Sequence, residues 1–361
     1  MRVGGAGANL NSHITSVLEV LYERHSLAGE VANAHFRAYQ YRRAIISLRR
    51  HPVKITTLQQ LEALELPGIR DKIKTKVGQI IQTGTCDAIE HGKPVWEDAV
   101  KRFMSVHGVG PAVAKQFYFK GYRTLDDLYV DRLSLLNEAQ RMGLLYHEDL
   151  QHRIPRAEVS AVYASVKRVA QSIVKDMEVH CTGSYRRGAA TCGDIDILLS
   201  HPSMTAERAP KFMELLNDQL TCHGLLIANL TRDTSSIKHM GIARLPHVGA
   251  RARRLDLLWV PHKELGASLL YFTGSDMFNR SMRLLAGRCG YSLSQHGLAA
   301  GVAQLRVYVF LHFIDYVCID LYILQQGKKV NDGVVVAGVT EQEVFDRLGI
   351  PFIEPKDREV S

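Results

Sequence analysis

The sequence predicts an α+β protein, helical up to about residue 155 and mixed beyond it. Two observations carry this. In the first part apolar residues recur at helical spacing, as in Ile14, Val17, Leu18 and Leu21, and again in Leu58, Leu61 and Leu64. After Arg153-Ile154-Pro155-Arg156 strand-like runs appear (Ile195–Leu199, Leu255–Val260, Val334–Val336), alternating with helical stretches at Val159–Val174 and Ala209–Leu220. With 361 residues, 46% of them hydrophobic and 23% charged, the chain has material for two or more cores, and wholesale disorder, collagen and low-complexity classes are excluded.

Within the first part, the ninety or so leading residues read as short helices punctuated by His51-Pro52 and Leu66-Pro67-Gly68. The formal net charge is +8, from 45 basic and 37 acidic residues. It is concentrated: Arg37 to Lys76 holds ten Lys or Arg and three acids. A charge run is often only a solvated face; a polyanionic partner is the functional alternative. Leu66-Pro67-Gly68-Ile69-Arg70 and Val106-His107-Gly108-Val109-Gly110-Pro111 share the form apolar-x-Gly-apolar-x ahead of a helix. This is the pattern of a helix-hairpin-helix: Gly68, Gly108 and Gly110 permit a tight turn, and the next helix offers free N–H groups to a DNA phosphate.

The six cysteines show neither a CxxC pair nor a tight metal spacing, so neither a disulfide framework nor a zinc finger is expected. The first residues contain no apolar signal-peptide core. Leu305–Leu324 is apolar enough to raise the question of a membrane span, but Arg306, His312, Asp315 and Asp320 interrupt it, and no membrane association is expected.

The densest chemistry lies in Gly183-Ser184-Tyr185-Arg186-Arg187-Gly188 followed by Gly193-Asp194-Ile195-Asp196. Asp194 and Asp196 are two apart at the start of a strand, hence on one face, and paired carboxylates call for a cation such as Mg2+. Gly183 and Ser184 form a turn suited to phosphate oxygens, and Arg187 can neutralise phosphate charge. Asp256, isolated in an apolar run, is the natural third ligand; the alternative is an ion pair with Arg254. Three aspartates can hold two metal ions for nucleotidyl transfer.

On these motifs, together with QRMGLLYHEDLQHRIPR, GSYRRGAATCGDIDILL, RRLDLLWVP, LLYFTGSDMFNRSMR and EPKDRE, the chain resembles the family X DNA polymerases, above all their beta-type members. The resemblance runs nearly end to end. It implies a helical lyase domain with the first hairpin (1–92), a helical DNA-binding subdomain with the second (93–155), a mixed-sheet catalytic palm (156–262) and an α/β subdomain that binds the nascent base pair (263–361), with an unusual insert near 298–329. It implies Asp194, Asp196 and Asp256 as ligands of two Mg2+ ions, with Mn2+ a possible substitute. Arg153, Gly183, Ser184, Arg187, Cys192 and Gly193 are the implied triphosphate contacts.

By the same resemblance Tyr271, Phe272 and Gly274 close on the incoming sugar, Asp276 and Asn279 meet the base, and Arg254 and Arg283 lie along the DNA. Lys76 is the implied Schiff-base lysine, with Tyr41 and Lys72 beside it. From the residues alone, Lys72 and Lys76 share a helix face, where like charges would favour a nucleophilic amine. Carbonyls of Leu64, Leu66 and Ile69, and of Met104, Val106 and Val109, would hold a monovalent cation, Na+ or K+. Gapped or nicked duplex DNA and deoxynucleoside triphosphates are the implied partners of a monomeric enzyme of base excision repair, nuclear or alternatively mitochondrial. A template-independent transferase, or a DNA-binding scaffold silenced by the insert, are the other functions in view. Three departures stand out. Arg70 replaces a hairpin glycine, at a cost of roughly 1 kcal/mol or more if φ there is positive. Cys192 replaces a serine in the phosphate cradle, and His296 stands where an aromatic hydroxyl is usual.

Overall fold

The computed structural model describes residues 9–28, 34–64, 66–90, 94–231, 236–301 and 333–359. The chain divides into two compact units, one ending at His147 and the other starting at Glu148.

In the first unit α1 (Ser12–Ala28) and α2 (Ala34–Arg50) are each 17 residues long. They are thus full-length helices, where the sequence suggests short ones. Ile14, Leu18 and Leu21 of α1 and Tyr41, Ala44, Ile45 and Leu48 of α2 close one core with Ile73, Val77 and Ile80. Asn11 is buried in it with its amide satisfied: Nδ2 donates to the carbonyls of Leu48 and Val53 (3.1 Å each), and Oδ1 accepts from Ile55 N (2.8 Å). The helix α3 (Leu58–Glu62) opens on a Thr57 capping box, and α4 (Asp71–Thr83) and α5 (Asp87–Glu90) follow. A second core gathers Val100, Phe103, Phe117 and Leu128 from α6 (Glu97–Met104), α7 (Pro111–Phe119) and α8 (Leu125–Val130), together with Val106, Leu136 and Leu144. The helices α9 (Arg132–Leu135), α10 (Glu138–Leu145) and α11 (His147–Gln151) complete the helical run.

The two hairpins are built alike. Ile69 N donates to Leu66 O, and Val109 N to Val106 O, both at 3.1 Å. Gly68 and Gly108 have φ of +89° and +80°. Arg70 and Gly110, the second position of each motif, have φ of −106° and −88° with ψ near 170°. That is extended backbone, which any residue adopts, so the backbone cost anticipated for Arg70 does not arise. The left-handed position is the first glycine. At Gly68 a Cβ would also lie 2.7 Å from Ala44 N and Arg43 Cβ. Gly68→Ala is therefore expected to lower stability by at least about 1–2 kcal/mol through backbone strain alone, read as a drop in urea midpoint. Gly110→Ala, whose Cβ would meet nothing within 4 Å, should leave it nearly unchanged. Neither Arg70 nor Gly110 caps the following helix with a side chain, so the first N–H groups of α4 and α7 keep no side-chain acceptor.

In the second unit β1 (Ile154–Pro155) pairs antiparallel with β3 (Thr191–Cys192), bracketing α12 (Arg156–Ile173), β2 (Glu178–Cys181) and α13 (Gly183–Arg186). The strands β4 (Ile195–Ser200), β5 (Leu226–Asn229), β6 (Lys238–Ala243) and β7 (Arg253–Trp259) join β2 in one sheet of order β2-β4-β7-β6-β5. Only β4 and β7 run parallel. One sheet face is covered by α12 and α14 (Ala209–Cys222), which bury Val162, Val166, Phe212 and Leu216 against Ile195, Ile197, Leu255, Leu257 and Trp259. Next come α15 (Leu265–Thr273), α16 (Asp276–Arg288), a three-stranded antiparallel sheet of β8 (Tyr291–Ser294), β9 (Gly297–Ala300) and β10 (Val334–Ala337), and α17 (Glu341–Arg347). Most of the expected insert, the Leu305–Leu324 run included, lies outside the described residues. Among the described residues no helix is long and apolar enough to cross a membrane.

His239 on β6 is 1% exposed and its Nε2 has no hydrogen-bond partner. Burial pushes its imidazole down to about 4. The folded pKa thus lies below the unfolded value of 6.5. Below 6.5 the unfolded chain takes up a proton that the folded chain refuses, so stability falls as pH drops from 6.5 to about 4, by about 3 kcal/mol in all. Urea midpoints at neutral and acid pH should differ by less in His239→Leu than in the wild type.

Candidate active site

Alternation along β7 turns Leu255, Leu257 and Trp259 into the core and leaves Arg254, Asp256 and Leu258 half-buried on the other face. The parallel register sets Asp256 directly beside Asp196 of β4. Burial, and next the Asp256 charge, push the Asp196 carboxyl up to about 6, against the pull of Lys238. Asp256 is raised too, chiefly by burial, while Arg254 and Lys238 pull it down. Its Oδ1 is buried without a hydrogen-bond partner.

Asp194 lies in the bend one residue before β4 rather than within the strand, and its carboxylate pairs with the Arg254 guanidinium. Arg254 Nε lies 3.7 Å from Asp256 Oδ2. For Asp256 the sequence offers either a metal or Arg254 as the partner; here Arg254 lies beside Asp256 but pairs with Asp194. Among the described residues no three ligands converge as a ready-made metal set. The donors nevertheless fit a divalent cation: an unpartnered buried oxygen on Asp256 and a neighbouring Asp196 carboxyl raised by burial and by the Asp256 charge are both relieved by positive charge. Such a cation has to draw Asp194 away from Arg254.

The cradle lies against this pair. Gly183 has φ of +58°, and a Cβ there would stand 2.8 Å from Asp196 Oδ2, so the turn and the carboxylate can approach only through glycine. Ser184 is half-buried in α13, its carbonyl accepting from Ala189 N at 3.1 Å. Arg187 donates to Thr273 O (2.7 Å) and to Glu359 (2.9 Å), with its Nε buried and unpartnered. Arg153, at the foot of β1, is held by Thr191 through Oγ1 (2.9 Å) and the carbonyl (2.5 Å), and Gly193 lies against its guanidinium. Cys192 departs from expectation. The pairing of β3 with β1 turns its thiol inward, fully buried in the sheet core, so it offers no side-chain donor to the cradle.

Gly274 (φ +67°) joins Ser275 through a cis peptide bond, and Ser275 caps α16. Tyr271 and Phe272 meet edge to face at 5.0 Å. Phe272 packs with Leu198, Val260 and Leu265, a core role, whereas Tyr271 lies under Arg283 at 5.2 Å and its carbonyl accepts from Asn279 Nδ2 at 2.7 Å. Tyr271, Asn279 and Arg283 thus line one small cleft. Asp276 is exposed and pairs with Arg280 at 3.1 Å.

Sequence reasoning missed the network behind the cradle. Glu341 binds Arg186 (2.6 and 2.9 Å) and the fully buried Arg358 (2.6 Å), and Arg186 also reaches Thr273 Oγ1 (2.7 Å). EPKDRE contains Arg358, but nothing in the sequence marks Glu341. The missed partner of the expected His296 departure is Glu264, at 2.7 Å.

In the first unit Lys72 and Lys76 lie one turn apart on α4, and Lys76 Nζ donates to Lys72 O at 3.1 Å. Tyr41, 6% exposed, stacks on His25 with ring centroids 5.5 Å apart. Burial, then the charges of Arg37, Lys76 and Arg24, push His25 below its ordinary value. His25 is therefore a neighbour of the lysine that its lone position in the sequence concealed. Of the carbonyls expected to face a monovalent cation, Leu66 O and Val106 O already accept the hairpin bonds, which leaves each a second lone pair.

Family comparison covers the chain almost end to end. A helix-hairpin-helix domain matches residues 9–86, the fingers domain of DNA polymerase lambda 101–151, the DNA polymerase beta palm 153–262 and the DNA polymerase beta thumb 268–359. DNA polymerase lambda of Rattus norvegicus is 35% identical over 357 residues, 97% of this chain and 56% of the relative. DNA polymerase lambda of Arabidopsis thaliana is 31% identical over 358 residues, 97% and 62% respectively. The chain therefore spans about three-fifths of the length of these curated relatives. The consecutive domain matches, in the order in which the carboxylate pair, its glycine cradle and the twin hairpins occur, show that this chain belongs to the X family of DNA polymerases.

Proposed function

We propose that the protein fills short gaps in DNA during base excision repair, by templated addition of deoxynucleotides, and removes 5′-deoxyribose phosphate through a lysine. One observation carries the polymerase reading: Asp196 and Asp256 side by side on parallel strands, with Asp256 Oδ1 buried and unpartnered. Asp194, Asp196 and Asp256 would hold two Mg2+ ions, Mn2+ substituting, which supply charge neutralisation for the attacking 3′-hydroxyl and the triphosphate. Arg187, Ser184, Gly193 and Arg153 bind the triphosphate. Tyr271 and Gly274 exclude a 2′-hydroxyl, while Asn279 and Arg283 face the minor groove and template, so that pair shape is read rather than base identity. The hairpins hold the DNA backbone through helix N-termini, with Na+ or K+ at the carbonyls of Leu64, Leu66 and Ile69 and of Met104, Val106 and Val109. The enzyme acts as a monomer, in the nucleus, on gapped duplex.

Primer extension across a single-nucleotide gap with Mg2+ tests this. Addition of the templated nucleotide supports it. Addition regardless of template points to a template-independent transferase, and binding without addition to a scaffold.

For the second activity, Lys76 Nζ attacks C1′ of the sugar aldehyde and water leaves, giving an imine. Loss of a C2′ proton then expels the 3′-phosphate. Borohydride should trap the wild-type chain on a 5′-incised abasic substrate, and trapping should fall at least ~10²-fold in Lys76→Ala as the nucleophile is lost. Undiminished trapping removes Lys76 from the role.

A further inference from the structure

The helix α2 carries two stripes. One is the buried face made by Ala38, Tyr41, Ala44, Ile45 and Leu48. On the opposite side Phe36, Tyr39, Arg43, Ile46 and Arg50 follow one another at spacings of three and four residues, a continuous line along the helix. Phe36, Tyr39 and Ile46 are 62%, 43% and 40% exposed. Scattered exposed apolar residues need no explanation, but three in register with two arginines form a patterned surface.

The stripe runs into an open cleft of about 450 Å³ whose walls include Arg43, Ile46, Arg50, Pro52 and Leu66. Val53, next to it in the chain, is 58% exposed. Ser47 Oγ donates to Pro67 O at 2.7 Å, joining the helix to the hairpin turn. Arg43 lies over the Tyr39 ring, 5.9 Å from its centroid. Among the described residues neither Arg43 nor Arg50 has a carboxylate partner, whereas Arg49, next along the helix, pairs with Glu19 at 2.6 Å.

We propose that this face of α2 and its cleft form a docking site for an amphipathic helix of a partner protein, with apolar residues flanked by carboxylates. Charge complementarity fixes the acidic character, because two arginines with no carboxylate partner among the described residues sit seven residues apart on the stripe. The apolar part follows from the wall: Tyr39 and Ile46 are also seven residues apart, the repeat that meets a helix laid alongside. A phosphate backbone would satisfy the arginines but leaves Ile46, Pro52 and Leu66 facing water, which favours a peptide over nucleic acid.

The test pans a displayed random-peptide library against the full chain, at physiological salt and with gapped duplex present. The expected winners carry acids and large apolar residues at helical spacing. Binding of the synthetic winner should weaken ~10-fold or more in Ile46→Asp and in Arg50→Glu, each removing an anchor. A winner with its acids changed to lysine should recover affinity for Arg50→Glu, and affinity for gapped duplex should stay at the wild-type level in both variants. Loss of duplex affinity alongside peptide affinity assigns the surface to DNA and overturns the proposal. So does a failure to enrich such peptides, or winners indifferent to both substitutions.

Discussion

Asp256→Ala is expected to cut nucleotide addition into a single-nucleotide gap by ~10³-fold or more, since losing one of the three proposed ligands would forfeit several kcal/mol of transition-state charge stabilisation. Affinity for gapped duplex should be close to wild type, because the hairpins sit in the other unit. The same substitution should make the metal-free protein more stable at neutral pH. It removes a buried carboxylate whose Oδ1 has no partner, and it removes a charge that raises Asp196. The sign follows from the Asp196 carboxyl, raised from 3.8 to about 6. A raised acid costs stability as pH climbs through the folded value and costs nothing below the unfolded one, so the gain in Asp256→Ala should shrink as pH falls from 6 towards 4. Mg2+ should raise the melting temperature of the wild type and not of the variant. Retained polymerisation, or Mg2+ stabilisation that survives, would sink the two-metal assignment independently of each other.

How much of this was legible from the chain depends on the range of the interaction. The strands bearing Asp196 and Asp256 were readable because their neighbours alternate or run apolar, a local pattern. Their adjacency was inferable because two isolated acids in apolar runs need a shared cation. What the pattern could not supply is the partner actually present: Arg254 takes Asp194, which lies outside its own strand. Arg70 was mispriced because sequence shows two glycine positions in a hairpin but not which of them has positive φ. Cys192 was placed in the cradle because a motif records neighbours in sequence; a two-residue pairing with Ile154-Pro155 decides where its thiol points. His25 and Glu341 were invisible for the same reason, since their partners lie 16 and 155 residues away. The short-helix reading of the first ninety residues failed where α1 and α2 continue through polar stretches that tertiary packing carries.

Glu341→Ala should be the most destabilising substitution in the second unit, by about 3–5 kcal/mol, the cost of stripping one partner from a buried ion pair. Arg358 is fully buried and makes its closest bond to Glu341 at 2.6 Å; without it the guanidinium keeps, among the described residues, the Ile353 carbonyl at 2.9 Å and its contacts with the rings of Phe278, Phe345 and Phe352. Burial alone would push the Glu341 carboxyl up, but the bonds and charge of Arg186, then of Arg358, bring it below the usual carboxylate range. Its site in the first turn of α17 adds the favourable end of the helix dipole. Glu341→Gln, which keeps the shape and loses the charge, should fall between the two. The effect reaches the cradle. Arg186 also bonds Thr273 Oγ1, and Arg187 bonds the Thr273 carbonyl, so one threonine ties both arginines to the end of α15. Freed of Glu341, Arg186 no longer fixes that junction, and the KM for the incoming nucleotide should rise more than kcat falls. A wild-type urea midpoint in Glu341→Ala would show the network to be ornamental. A changed midpoint with unchanged nucleotide KM would confine it to stability.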